Sequence, residues 1–83
     1  MKITVRYFAS IREALGIDQE SLDTDAATLG ALRDTLIARG GAHAAALQRG
    51  RAVRMALDQV LSEDAAPLHE GAEVAFFPPV TGG

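Results

Sequence analysis

One stretch of this chain carries the spacing of a long amphipathic helix, with Leu29, Leu32, Leu36 and Ile37 on a single face. Thr28 is placed to cap its start, and Gly40-Gly41 is placed to end it. The spacing predicts a helix over Thr28–Arg39, with Arg33, Asp34 and Arg39 mostly off the apolar stripe. Such a stripe reads as core rather than as a cofactor box. One principal helix cannot bury its stripe against itself. The rest of the 83 residues must therefore supply the surface that covers it.

The flanking segments alternate as strands do. Ile3, Val5 and Tyr7 share one side of a strand running to Phe8, and Lys2, Thr4 and Arg6 share the other. Phe8 breaks the pattern, because an aromatic lands on the polar side. Val53, Met55 and Leu57 repeat the alternation. Val60-Leu61 follows after an Asp58-Gln59 turn, and Glu73–Phe77 closes the set beyond a Glu70-Gly71 turn. Gln19–Leu22 is a brief strand, and Asp23-Thr24-Asp25 has turn chemistry. Ser10 and Glu13 have the spacing of a capping box for a short helix that Gly16 ends. Ala42–Gln48 adds a short helical turn. The predicted fold class is α+β: a mixed sheet of about five strands with one main helix on one face. The first and last strands, Ile3–Phe8 and Glu73–Phe77, are expected side by side and parallel, and the other face of the sheet is left open.

The chain closes on Phe76-Phe77-Pro78-Pro79-Val80-Thr81-Gly82-Gly83. Pro78 removes a backbone donor and ends the last strand. The Pro pair favours stiff, extended backbone, and the last two residues carry no side chain. Residues 1–77 are thus expected to form the domain and residues 78–83 an extended tail. Six residues reach roughly 20 Å. A tail that is rigid and then bare suits entry into a narrow channel, where it presents its carboxylate.

Other chemistry is sparse. There is no cysteine, hence no disulfide, thiolate metal site or cysteine nucleophile. A net charge of −3 argues against nucleic acid and weakly against anionic membrane surfaces. No apolar run approaches a membrane span, and Met1-Lys2 leads into a strand pattern without the layout of a signal peptide. A soluble cytoplasmic protein is expected. His43 and His69 are expected in loops with solvent-exposed roles, and Asp23, Asp25, Glu63 and Asp64 as a solvated acidic rim. No metal-ligand spacing, phosphate-cradling glycine pattern or catalytic cluster is seen. The expectation is no bound cofactor and no metal.

A second feature accompanies the tail. If Val74 and Phe76 join Val5 and Tyr7 beneath the helix, then Phe8 and Phe77 emerge together on the open face. Clustered exposed aromatics mark binding surfaces, and this pair would lie at the base of the tail.

These residues resemble a known family. Phe76–Gly83 is similar to the C-terminal signature of the small subunit of molybdopterin synthase. Tyr7-Phe8-Ala9 with Arg12-Glu13 and Gly16 resembles that family's opening segment. Pro67-Leu68, Gly71 and Glu73–Phe76 resemble its approach to the last strand. Ala42–Arg54 shows little that is diagnostic, and Asp58 stands where the family often has Asn. The resemblance implies a ubiquitin-like β-grasp fold and sulfur carriage in molybdenum cofactor biosynthesis. An adenylating enzyme of the ubiquitin-activating type would use ATP to activate the Gly83 carboxylate, which a sulfur donor system converts to a thiocarboxylate. The tail, Pro78, Pro79, Val80, Thr81 and Gly82, would thread into a large subunit within a heterotetramer. There the sulfur would pass to cyclic pyranopterin monophosphate. Phe8 and Phe77 would join the large-subunit contact. The chain would be a sulfur donor without catalytic residues of its own. A thiamine-pathway sulfur carrier, a ubiquitin-like protein modifier and an interaction module with an inert tail are the rival readings.

Overall fold

The computed structural model describes residues 1–79. The tail positions Val80, Thr81, Gly82 and Gly83 lie outside the described residues. In chain order the elements are β1 (Lys2–Tyr7), α1 (Ala9–Leu15), β2 (Gln19–Asp23), α2 (Leu29–Ile37), α3 (Gly41–Leu47), β3 (Arg54–Leu57), β4 (Val60–Ser62) and β5 (Glu73–Phe77). The strands form one mixed sheet in the order β2-β1-β5-β3-β4. The first and last strands are central and parallel, with Val5 opposite Val74 and Tyr7 opposite Phe76. The other pairings are antiparallel. This is the expected β-grasp arrangement.

Side-chain alternation decides which face is covered. Ile3, Val5, Tyr7, Val74 and Phe76 are buried together with Leu29, Leu32 and Leu36 of α2. Tyr7 and Phe76 stack within this core, ring centroids 6.2 Å apart. The Thr28 hydroxyl caps α2 by accepting from the Ala31 amide at 3.2 Å. Asp58 and Gln59 both take positive φ, 49° and 69°. A two-residue hairpin demands that geometry to keep strand twist in register, and it pairs Leu57 with Val60.

The structure departs from the sequence reading in three places. The first is the start of α1. Its N-cap is Phe8, not Ser10, and no side chain caps it. The strand runs straight into the helix through Ala9 at φ 52°, so Ser10 already lies in the first turn. The Phe8 carbonyl accepts from the amides of Ile11 and Arg12. The second is His43, which sits in α3 rather than in a loop. It is half-buried beside Tyr7 and Glu20. The third is Arg33, which is buried at 5% exposure instead of lying off the covered face. Its guanidinium crosses to the end of α3, a destination that helical spacing cannot reveal.

Candidate functional site

The site is built on the uncovered face, where β1 and β5 end together. The Phe8 amide donates to the Phe76 carbonyl at 3.1 Å, extending the parallel ladder one step past β1. Phe8 is 36% exposed, and the Arg6 guanidinium stands 5.2 Å from its ring centroid. That distance is within cation–π range. Arg6 also reaches Glu73 at 3.7 Å. Phe77 is half-buried and opposite Arg54 of β3.

Register carries the apolar strip outward. Ala75 faces Ala56, and Ala56 faces Leu61 of β4, which is 64% exposed. Phe8, Phe77, Ala75, Ala56 and Leu61 therefore share the helix-free face, with Arg6 and Arg54 at their sides. The expected placement of Phe8 and Phe77 on that face is what the backbone produces. Leu61 was missed. The two-residue Asp58-Gln59 turn was the signal that could have placed it opposite Ala56. Depleted charge at the centre with arginine at the margin is the usual anatomy of a docking surface.

The root of the tail adjoins this surface. β5 ends at Phe77, and Pro78 and Pro79 are half-buried against the body of the domain. Pro78 lines a notch of about 160 Å³ together with Ile11 and Ala14 of α1, Ala46 of α3, and Arg51 and Val53 of the α3–β3 connection.

Behind the sheet lies a polar knot. Glu20 accepts from the Tyr7 hydroxyl at 2.8 Å and from Arg39 at 2.7 Å, and its carboxylate meets His43 Nε2 at 3.0 Å. Burial pushes the Glu20 carboxyl up, but hydrogen bonds from His43, Arg39 and Tyr7 outweigh it and bring it down to about 2. Burial raises the Tyr7 hydroxyl, and the Glu20 charge adds to that. The knot fastens the edge strand β2 to α3 and to the turn that follows α2. His69 is exposed as expected, yet it is paired: Nε2 lies 2.6 Å from Asp58 Oδ2. Asp58 Oδ1 accepts from the Glu73 amide at 3.0 Å. That amide bond, then His69, holds the Asp58 carboxyl below its usual range, and Asp58 in turn raises the His69 imidazole. Of the expected acidic rim, Asp64 is held by Arg49 at 2.7 Å and Asp23 meets the N-terminal ammonium at 3.2 Å. Among the described residues no group of three His, Asp or Glu could hold a metal ion. No helix among them is long and apolar enough to cross a membrane.

A β-grasp domain with aromatics on its helix-free face, at the root of a Pro-Pro segment, has the form of one class: small ubiquitin-like carriers. The family model "ThiS family" matches residues 5–83. The chain is 41% identical to the molybdopterin synthase sulfur carrier subunit of Haemophilus influenzae, over 98% of this chain and 99% of that one. It is 43% identical, with the same coverage, to the protein of that name from Escherichia coli. The chain belongs to the ThiS family and, within it, groups with the sulfur carrier subunits of molybdopterin synthase. Two solved structures share the fold. SAMP1 from Haloferax volcanii superimposes with a TM-score of 0.78 at 26% identity, covering all of both chains. A chain of the complex of subunits 1 and 2 of molybdopterin-converting factor from Helicobacter pylori gives 0.69 at 27%, again over all of both chains.

Proposed function

We infer that this chain is the sulfur-carrying small subunit of a molybdopterin synthase and works in molybdenum cofactor biosynthesis. The observation that carries the reading is the likeness to two sulfur carrier subunits over nearly the whole of each chain. The partner is a large subunit, in keeping with the two-subunit complex from Helicobacter pylori. Phe8 and Phe77 bind it through the helix-free face, and Pro78, Pro79, Val80, Thr81 and Gly82 thread into it.

The reacting group is the Gly83 carboxylate. A carboxylate is a poor electrophile, so it must first be given a leaving group. An adenylating enzyme of the ubiquitin-activating type provides one: a carboxylate oxygen attacks the α-phosphorus of ATP and pyrophosphate departs. A sulfur nucleophile then displaces AMP, leaving a thiocarboxylate. That sulfur attacks cyclic pyranopterin monophosphate inside the large subunit, and water then cleaves the acyl–sulfur bond, leaving the sulfur on the pterin and restoring the Gly83 carboxylate. Each dithiolene takes two sulfurs and so two carrier chains, which suits a heterotetramer. The chain binds no cofactor; ATP belongs to the activating enzyme. Cytoplasmic location fits this chemistry. Side chains of this chain orient and dock, and the stiff Pro pair lowers the ordering cost of threading.

Incubation with the activating enzyme, ATP and a sulfur donor tests the reading by intact-mass spectrometry. The expected result is one oxygen replaced by sulfur, confined to the C-terminal peptide, followed by conversion of the pterin precursor when the large subunit is added. A thiocarboxylate consumed only in thiazole synthesis makes the chain a thiamine-pathway carrier. Isopeptide linkage to lysines without pterin conversion makes it a protein modifier, the reading that likeness to SAMP1, a small archaeal modifier protein, favours.

A further inference from the structure

Arg33 is a buried charge that neither the docking face nor the sulfur chemistry uses. It sits on α2 among Leu29, Leu32 and Leu36, where a buried guanidinium costs several kcal/mol unless its donors are satisfied. Nε and one terminal nitrogen are satisfied by backbone. Arg33 Nε donates to the Leu47 carbonyl at 2.7 Å, and one terminal nitrogen donates to Gln48 and Arg51 carbonyls at 2.9 and 3.3 Å. Leu47 is the last residue of α3 and Gln48 its C-cap, so these are carbonyls that the helix leaves unpaired. Burial, and then the nearby Arg49 charge, lower the Arg33 guanidinium from its usual value. Arginine stays protonated regardless, and Arg49 is itself paired with Asp34 and Asp64.

The fastened segment has a particular neighbour. Residues 48–53 are irregular and lead directly into Arg54, which pairs with Phe77. Arg51 and Val53 of this segment wall the notch that Pro78 lines. Two further bonds keep it folded back on α3: the Arg51 amide to the Gln48 carbonyl at 2.9 Å, and Arg51 Nε to the Ala45 carbonyl at 3.3 Å. The chain from Arg33 to the tail root is thus short and continuous: guanidinium, three carbonyls, notch wall, Pro78.

We propose that Arg33 is a positioning residue for the tail: by clamping the carbonyls of Leu47, Gln48 and Arg51 it fixes the notch wall beside Pro78, and so the course on which the chain leaves the domain. A tail whose first residues are already aimed loses less freedom on threading, which helps encounter with the large subunit. Once threaded, the partner holds the tail and the clamp no longer matters. Arg33 therefore acts on binding rather than on transfer. This rests on the tail being the threaded, reacting end.

The test compares the wild-type chain with Arg33→Met and Arg33→Lys below their melting temperatures. NMR reads nuclear Overhauser contacts from the Pro78 ring to the Ile11 and Val53 methyls. Steady-state sulfur transfer, with each thiocarboxylate titrated against a fixed amount of large subunit, reads KM and kcat. Arg33→Met is expected to lose the Pro78 contacts and raise KM roughly tenfold, about 1.4 kcal/mol, with kcat unchanged. Arg33→Lys, which keeps the charge and part of the reach, falls between. Intact Pro78 contacts and an unchanged KM in Arg33→Met, with only a lower melting temperature, overturn the proposal. If Arg33→Met does not fold, Arg33→Lys and the exposed-wall variant Arg51→Ala decide on the same two readouts. Failure of the wild-type chain to gain sulfur sinks the carrier reading instead, and the Pro78 contacts still report on the clamp.

Discussion

The Phe8 amide bonds the Phe76 carbonyl at 3.1 Å, which carries the ladder one residue past Tyr7, so strand alternation puts the two neighbouring aromatics of each strand on opposite sides of the sheet. Tyr7 and Phe76 are sealed in the core at 1% and 0% exposure. Phe8 and Phe77, one residue on, are left to the open face. The first pair holds the fold and the second is free to hold a partner.

Phe8→Ala and Phe77→Ala are each expected to weaken large-subunit binding by about 1–3 kcal/mol, the range of aromatic anchors at interface centres. Phe8→Ala should scarcely move the melting temperature, whereas half-buried Phe77 costs some stability. Calorimetric titration and thermal melts on the same variants check this. Unchanged affinity with a large drop in melting temperature would place both residues in the core.

Gly30 stands where helix α2 meets the segment after β4. A Cβ there would lie 2.9 Å from Asp64 Cβ and 3.3 Å from the Asp64 carbonyl oxygen. That carbonyl accepts the Gly30 amide at 3.0 Å, so it is not free to retreat. Gly30→Ala should therefore destabilise the domain by about 1–3 kcal/mol despite its gain in helix propensity. Urea unfolding measures it; a variant as stable as the wild type would mean that the segment around Asp64 gives way freely.

The Glu20 knot predicts an acid limb in stability. In the folded chain the Glu20 carboxyl is held at about 2, against an ordinary value of 4.5. A depressed carboxyl contributes stability that is complete above the ordinary value and is lost as pH falls toward the folded one. The contribution is on the order of 2–3 kcal/mol. Glu20→Gln should lower stability at neutral pH and flatten the fall between about pH 4.5 and 2. Denaturant melts across that range settle it, and an undiminished acid limb in Glu20→Gln assigns the effect elsewhere.

What could be read beforehand follows from periodicity. Period-two alternation in Ile3–Tyr7 and Val74–Phe76, and the stripe Leu29, Leu32, Leu36, define buried faces whatever the partner, so the core and the central strand pair were legible. Polar contacts across long separations were not. Arg33 meets Leu47 fourteen positions away, and Glu20 meets His43 twenty-three away. No local pattern marks such partners, because each choice depends on tertiary placement. Ser10 misled for the opposite reason. Its capping spacing is local and correct in form, but the direct passage of β1 into α1 moved the cap to Phe8. Of the site, the aromatic pair was legible through strand parity, while Leu61 needed the register of a hairpin.

The last prediction concerns the end of the chain, where the proposed chemistry is concentrated. There is no cysteine in the 83 residues to hold sulfur as a thiol or persulfide, and the proposed carrier chemistry places it on the terminal carboxylate. Deleting Gly83, or adding one residue after it, should abolish sulfur transfer. The fold should be unaffected, because the packed core among the described residues runs from Ile3 to Phe76. Gly82→Val should impede threading by bulk alone, and it separates two steps. Mass spectrometry after activation reports whether the thiocarboxylate forms, and pterin conversion reports whether the tail still reaches the large-subunit site. A Gly82→Val chain that gains sulfur normally but converts little pterin locates the constriction in the large subunit. One that gains no sulfur locates it in the activating enzyme. Full transfer by a chain lacking Gly83 would show that the terminal glycine is not the carrier, and the assignment of the chemistry to that carboxylate would fail with it.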